Sequence, residues 1–291
     1  MNSFIPVILL ALTACADFDS ATLIKRDRVL AAKVGVDGDP DRAWPTPGES
    51  ATMTWVTASP GDPPMFSWTL LACPAATSTG LPACAGDAFA TSEGTGPIPT
   101  LRLAIPADIA ATAVVVTGAI CASGTPSLDS ETRLGECSDG TRVDVVSQHI
   151  FLGTDVATNH NPHITAAPIS IAGQAWADGG SCDDLPVVKA GADRTLIGVT
   201  FDGSDRETFT AATGASREAL QLGVFTTAGD VVQLHAYVEA DDDRAASPIA
   251  VEWDPPSAED VPADGLRVKF TFVVRDMRGG VDATTRELCV R

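Results

Sequence analysis

His160 and His163 stand three positions apart beside Asp155. Two imidazoles and a carboxylate on one loop could share a metal, but a metal site needs about three or four converging ligands. The competing reading is an exposed turn, which the polar run Thr158-Asn159-His160-Asn161-Pro162 favours. Two aspartate runs offer oxygen ligands instead. Asp37, Asp39 and Asp41 alternate, while Asp241, Asp242 and Asp243 are consecutive. Calcium takes about six to eight oxygens, and clustered loop aspartates can supply them. The first run lacks the EF-hand pattern, because Arg42 stands where glycine is needed and Gly48 where glutamate is needed. The second run joins two expected strands and is the better calcium candidate, with a solvated turn as the alternative. His149 and His235 fall within expected strands and read as structural. No G-x-S-x-G elbow occurs. Carboxylates are abundant, yet nothing selects a pair for glycoside chemistry. The expectation is therefore a protein without catalytic duty. Trp44 and Trp176 lie in Pro- or Gly-flanked loops where an exposed ring could meet a sugar; Trp55, Trp68 and Trp253 read as core.

The seven cysteines are Cys15, Cys73, Cys84, Cys121, Cys137, Cys182 and Cys289. With Cys15 set apart, the remainder is even, as a disulfide framework requires. Proximity favours Cys73–Cys84 and Cys121–Cys137, each closing a loop. Cys182–Cys289 would then tie the start of the second half to its last strand. These positions read as loop staples. No C-x-x-C pair occurs, which makes structural zinc a poor reading.

The chain has 291 residues, and at ~100–200 residues per domain this implies two domains. A hydrophobic share of 45% supports a real core. Formal net charge is −19, with pI ≈ 4.3. Nucleic-acid binding requires a basic stripe that releases counterions from phosphate. The sequence has none, so that class is excluded. The acidity also argues against electrostatic docking on anionic lipid.

The chain opens on an apolar run, 4–14, closed by Leu12-Thr13-Ala14-Cys15. An apolar middle of ~7–15 residues before small residues is the pattern of a secretory signal. A transmembrane helix needs ~20 apolar residues, and Pro6 disfavours one further. Residues 1–3 carry no Lys or Arg, a departure from the pattern. The four closing residues resemble the lipobox of bacterial lipoproteins. That resemblance implies cleavage after Ala14, with a diacylglyceryl thioether and an acylated (palmitoyl-type) amine on Cys15. A single chain anchors weakly at ~0.8 kcal/mol per methylene, and several together anchor almost permanently. Ala16 is not the aspartate that marks inner-membrane retention, so the outer membrane of a bacterial envelope is the expected location. Residues 1–14 would be the signal peptide and 15–27 a lipidated tether. The alternative is an ordinary secretory signal with Cys15 incidental. Either export route reaches an oxidising compartment, where three disulfides are expected.

Beyond Arg28 the dominant period is two, which signals half-buried strands. Ala51, Met53, Trp55 and Thr57 share one face, as do Phe66, Trp68 and Leu70. Runs 101–105, 113–121 and 142–152 continue the series. Val114-Val115-Val116 is β-branched and continuous, as in a central strand. Pro/Gly clusters at 45–48, 60–64 and 94–99 read as turns, and 122–140 reads as a polar insertion. A boundary is expected near Asn161-Pro162. The second half offers strands at 164–171, 194–201, 218–226, 231–238, 248–253, 266–274 and 281–290. Arg275-Asp276-Met277-Arg278-Gly279-Gly280 would turn the last two into a hairpin. Short strands with regular turns indicate an all-β sandwich or barrel.

The run 272–282, closed by Cys289-Val290, resembles the final hairpin of immunoglobulin-like and PKD-like extracellular domains. The whole layout resembles uncharacterised predicted lipoproteins of myxobacteria. It comprises a lipobox, Arg-Val-Leu-Ala at 28–31, Pro-Gly-Glu at 47–49, Asn-x-Asn-Pro at 159–162 and the terminal hairpin. The implied fold is two immunoglobulin-like β-sandwiches in tandem, 28–158 and 159–291. The implied partner is a lipid bilayer, through Cys15. The expected role is a structural or interaction module meeting envelope proteins or glycans. The alternatives are a loop-mediated glycan- or peptide-binding module, with calcium as its one candidate cofactor, and, less favoured, an envelope hydrolase.

Overall fold

The computed structural model describes residues 20–61, 63–76, 82–129, 135–154, 157–164, 167–176, 180–211 and 214–291. Cys15, the run 4–14 and Asp155 lie outside the described residues. Among those described, the chain forms strands and two single-turn 3-10 segments and no α-helix.

The first half contributes β1 (Arg28–Val36), β2 (Ser50–Ala58), β3 (Phe66–Pro74), β4 (Ala90–Gly96), β5 (Thr100–Ala104), β6 (Ala113–Cys121), β7 (Pro126–Leu128), β8 (Gly135–Cys137) and β9 (Asp144–Phe151). They form a sheet β1-β2-β5 and a sheet β4-β3-β6-β9, with β7-β8 as a separate hairpin. The alternation in the sequence sets which side chains meet. Met53 and Trp55 of β2 pack with Phe66, Trp68 and Leu70 of β3 in one buried cluster. All nine residues of β6 are buried. Its even-numbered Val114, Val116 and Ile120 face that core, and the β7-β8 hairpin packs on its other face at Ala119 and Cys121.

The second half contributes β10 (Ile169–Ile171), β11 (Gln174–Ala175), β12 (Val187–Val188), β13 (Thr195–Asp202), β14 (Thr208–Ala211), β15 (Gly214–Arg217), β16 (Leu220–Thr226), β17 (Asp230–Val231), β18 (Ala236–Val238), β19 (Ala246–Asp254), β20 (Leu266–Arg275) and β21 (Val281–Val290). One sheet runs β11-β10-β13-β19-β17 and the other β12-β21-β20-β16-β18; β14-β15 stands apart. A second buried cluster fills the space between these sheets. Phe270 lies at its centre, with Trp176 and Trp253 edge-on at 5.0 and 5.1 Å between ring centroids.

Several local expectations change. Residues 94–99 were expected as a turn, but Gly94 and Gly96 belong to β4. The glycines are needed for packing: a Cβ on Gly94 would stand 2.6 Å from Cζ2 of Trp68. The expected strand 231–238 is two strands. β17 pairs with β19 in one sheet and β18 with β16 in the other. The chain crosses between sheets at the break, so His235 lies between strands rather than within one. Of the strand expected at 164–171, β10 forms Ile169–Ile171, and residues 165 and 166 lie outside the described residues. Trp176 is buried rather than exposed, and its Nε1 donates to the carbonyl of Glu287 at 2.7 Å.

The three disulfides are Cys73–Cys84, Cys121–Cys137 and Cys182–Cys289. Four of these cysteines sit on strands, not in loops: Cys73 on β3, Cys121 on β6, Cys137 on β8 and Cys289 on β21. Each strand's core-facing residues have the opposite parity, for example Ala72, Ile120 and Leu288. Successive strand side chains point to opposite faces. The bridges at Cys73, Cys121 and Cys289 therefore pin segments onto the outer faces of their sheets.

Two outcomes are expected. Gly94→Ala drives a methyl into the Trp68 ring and lowers unfolding free energy by ~1–3 kcal/mol, read from urea midpoints. Replacing Cys182 and Cys289, which are 107 positions apart, by serine lowers stability by about 4 kcal/mol. That exceeds the loss on removing Cys73–Cys84, because the longer loop restricts the unfolded chain more.

Candidate functional site

The hairpin loop 276–280 between β20 and β21 is organised by one carboxylate. Asp276 is 1% exposed. Its Oδ1 accepts from the backbone N–H groups of Arg278 and Gly280, both at 2.8 Å. An aspartate that bonds backbone two residues on closes such a turn by itself. Met277 takes φ +64°, and its side chain is exposed. A Cβ on Gly280 would lie 2.1 Å from Asp276 Oδ2 and 2.7 Å from the His160 carbonyl, so only glycine fits.

The same carboxylate reaches the Asn-x-Asn-Pro segment. Asn159 Nδ2 donates to Asp276 Oδ2 at 2.6 Å. Asn161 Oδ1 accepts from the Val281 N–H at 2.9 Å, while its Nδ2 donates to the Val34 carbonyl at 2.7 Å. Backbone bonds from Ala43 to Asn159 and from Asn161 to Asp41 extend the contact. Residues 159–161 thus lie between β1 and the terminal hairpin. This corrects the exposed turn expected there: Asn159 and Asn161 are 0% and 2% exposed. A buried backbone must find partners, and these asparagines supply them to both halves.

Arg278 completes the junction. Its guanidinium lies 4.7 Å from the Trp44 ring centroid and 4.5 Å from that of Phe209, within cation–π range. It donates to Glu218 at 2.6 Å, Glu207 at 3.2 Å and the Thr158 carbonyl at 2.8 Å. Trp44 Nε1 donates to the Arg278 carbonyl at 3.0 Å. His160 Nδ1 pairs with Glu207. His163 turns instead to Asp205 at 3.3 Å, so the two histidines do not converge. Burial pushes the Glu218 carboxyl up to about 7; Asp276 adds to the rise, while the Glu207 N–H and Arg278 oppose it. A cleft of about 670 Å³ opens here, lined by Trp44, Phe209, Thr208, Thr158 and Arg278.

The other motifs converge on the same place. Glu49 of Pro-Gly-Glu holds Arg42 through two bonds, at 2.9 and 2.7 Å, beside the 41–43 pairing. That hydrogen-bonded pairing lowers the Glu49 carboxyl to about 2. Arg275 donates to the Leu30 carbonyl at 2.9 Å, and Lys33 pairs with Asp282 at 2.9 Å. A small apolar cluster of Ile24, Ala58, Phe225, Val273 and Val281 lies beneath. Ile24, expected within the tether, is buried there, with its N–H on the Thr226 carbonyl at 2.7 Å.

Elsewhere, Asp242 is held by Arg244 at 2.6 Å, and Arg244 together with the Arg244 N–H lowers its carboxyl. A calcium ion at Asp241, Asp242 and Asp243 would compete with that arginine. Asp37 and Asp39 pair with Arg102 and Arg42. Among the described residues, no three His, Cys, Asp or Glu side chains converge as a metal set. None of the described helices is long and apolar enough to cross a membrane. Sequence reasoning passed over Asp276, Glu207, Glu218, Phe209 and Arg278. Only Asp276 had a local signal, an aspartate opening a Gly-Gly turn.

No protein-family model matches the sequence, and no curated protein matches it. Among solved structures, red sea bream transglutaminase aligns over 91% of this chain and 32% of its own, at 9% identity and a TM-score of 0.26. This chain thus spans about a third of that one, and a likeness at that level assigns neither fold nor activity.

Glu218 has a pH signature. Its folded carboxyl, at about 7, holds the proton more tightly than the unfolded one at 4.5. Its contribution to stability is full below 4.5 and is lost as pH rises to about 7. Wild type should lose up to ~3 kcal/mol relative to Glu218→Gln across that window, read as the difference between their urea midpoints at each pH.

Proposed function

We propose that the protein is a lipid-anchored envelope lipoprotein of a bacterium. Its two immunoglobulin-like sandwiches, 28–158 and 159–291, act as one rigid, non-catalytic display and interaction module. The observation that carries this reading is the junction itself. Asn161, Arg278, Trp44 and the Asn159 carbonyl bond across it, and Ile24 is buried beneath it. Domains in one chain move relative to one another unless their contact holds them; here buried hydrogen bonds and an apolar cluster do so. Ile24, shortly after Cys15 in the sequence, is buried in the seam, so an anchor would hold both sandwiches at once. An extended chain covers at most ~3.6 Å per residue, so the few residues between Cys15 and Thr22 would keep the body close to a bilayer. Ala16, standing where an aspartate would mark inner-membrane retention, favours the outer membrane.

A second reading has its own observation. The cleft beside Trp44 and Phe209 combines aromatic side chains with threonines, and apolar walls with a few polar groups are what small-ligand sites such as glycan subsites use. Burial of Trp176 leaves Trp44 as the loop tryptophan available for it.

Expression of the full chain in a Gram-negative host tests the anchor. Wild type is expected in the membrane fraction, with an intact mass showing acylation at Cys15 and three disulfides. Cys15→Ser is expected in the soluble periplasmic fraction with the same melting curve. An unacylated wild-type chain, or a Cys15→Ser chain that stays with the membrane, would overturn the lipoprotein reading.

A further inference from the structure

β9 is the edge strand of its sheet. Its ladder to β6 continues into a bond from the Leu152 N–H to the Thr112 carbonyl. In an antiparallel pair, bonded and non-bonded residues alternate. The even-numbered residues of β9 therefore face β6. Val145, Ser147 and His149 turn their N–H and C=O groups to the open side.

That open side is not bulk solvent. It forms one wall of a groove of about 760 Å³, whose other walls are the start of β1 and the terminal hairpin. One end is closed where Asp144 accepts from the Val29 N–H at 3.0 Å. Gly279 and Phe151 line the other end. Exposed Val145, Phe151 and Met277 line the slot. Met277 is held there by a backbone conformation that non-glycine residues seldom adopt. His149 Nε2 is buried with no hydrogen-bond partner.

Charge in the groove runs against the rest of the molecule. The whole chain carries −19, yet the groove presents Arg142 and Arg275. Neither has a carboxylate partner among the described residues. Asp144, the groove's acid, is already taken by Arg26 at 3.1 Å.

We propose that this groove binds an extended acidic segment of a partner protein, which adds as a strand to β9 and places carboxylates on Arg142 and Arg275. Strand addition draws affinity from main-chain bonds and specificity from alternate side-chain sites. The bonds come from Val145, Ser147 and His149, the apolar contact from Val145 and Met277, and the sign of the ligand from the two arginines. This deepens the interaction reading above and does not depend on the lipid anchor, so failure here would leave the fractionation result standing.

The test is fluorescence anisotropy on the full chain in detergent, with a labelled heptapeptide of alternating valine and threonine flanked by glutamates. Two control peptides carry glutamine for glutamate, or N-methyl groups on alternate backbone nitrogens. The glutamate peptide is expected to bind at least ~10-fold more tightly than either control. Ser147→Pro removes an outward N–H without touching the β6 ladder, and edge strands tolerate proline there. It is expected to weaken binding ~10-fold or more, and the exposed Arg142→Gln to weaken only the glutamate peptide. Matching melting curves would show that both variants fold. Equal binding of the glutamate and glutamine peptides would overturn the proposal, as would binding that survives Ser147→Pro or N-methylation, or no binding at millimolar peptide. A concentration-dependent dimer abolished by Ser147→Pro would also overturn it, by making a second copy of the chain the occupant.

Discussion

Asp276 sits at 1% exposure and is satisfied by two backbone N–H groups of its own loop and by the side-chain amide of Asn159, on the segment that enters the second half. A buried carboxylate is tolerated only when its oxygens are bonded. The loop geometry, the glycine at 280 and the position of Asn159 all follow from that requirement. Arg278 can reach Trp44, Phe209 and the two glutamates because Asp276 has already fixed its backbone. Without the carboxylate the loop would lose its shape, and the seam would lose both its polar lock and its aromatic clamp.

The seam differs in kind from the two cores. Each core is apolar, closed by aromatic edges and β-branched side chains, and insensitive to direction. The seam is polar, and hydrogen bonds demand geometry that hydrophobic contact does not. Its apolar part, around Ile24 and Phe225, supplies burial, while the bonds from Asn159, Asn161 and Arg278 set the mutual angle. A wrongly rotated arrangement would leave buried amides and a buried carboxylate unpaired, at ~1–3 kcal/mol each and more for the charge. Specificity of arrangement resides in the polar residues, and much of the adhesion in the apolar ones.

Most strands were legible because burial on one face imposes period two, as at Met53, Trp55, Phe66, Trp68 and Leu70. The disulfide partners followed from proximity, since each short pair closes a local loop. Failures came where tertiary packing overrode local chemistry. Gly94 looks like a turn residue until Trp68 is placed against it. Residues 231–238 look like one strand because both sheets draw on the same β-branched and aromatic vocabulary. The junction was the least legible part: Asn159 meets Asp276 across 117 positions, and Arg278 meets Trp44 across 234. Each of the motifs at 28–31, 47–49, 159–162 and 275–280 was weak alone, and only the fold shows that they occupy one place.

Sequence separation also has a consequence for the order in which the molecule is completed. Lys33 and Asp282 are 249 positions apart, and the terminal hairpin supplies the seam with Asp276, Arg278, Val281 and Asp282. A chain that leaves the ribosome from its N-terminus presents β1, Trp44 and the asparagines long before that hairpin exists. Synthesis proceeds at ~5–20 residues per second, so these groups wait for seconds facing water or another chain. The final hairpin is thus a keystone in time as well as in space. A nascent chain interrupted before that point can close its first core yet leaves the seam-facing patch around Val56 and Ala58 bare, and such uncovered apolar surface is what chaperones and proteases are built to detect.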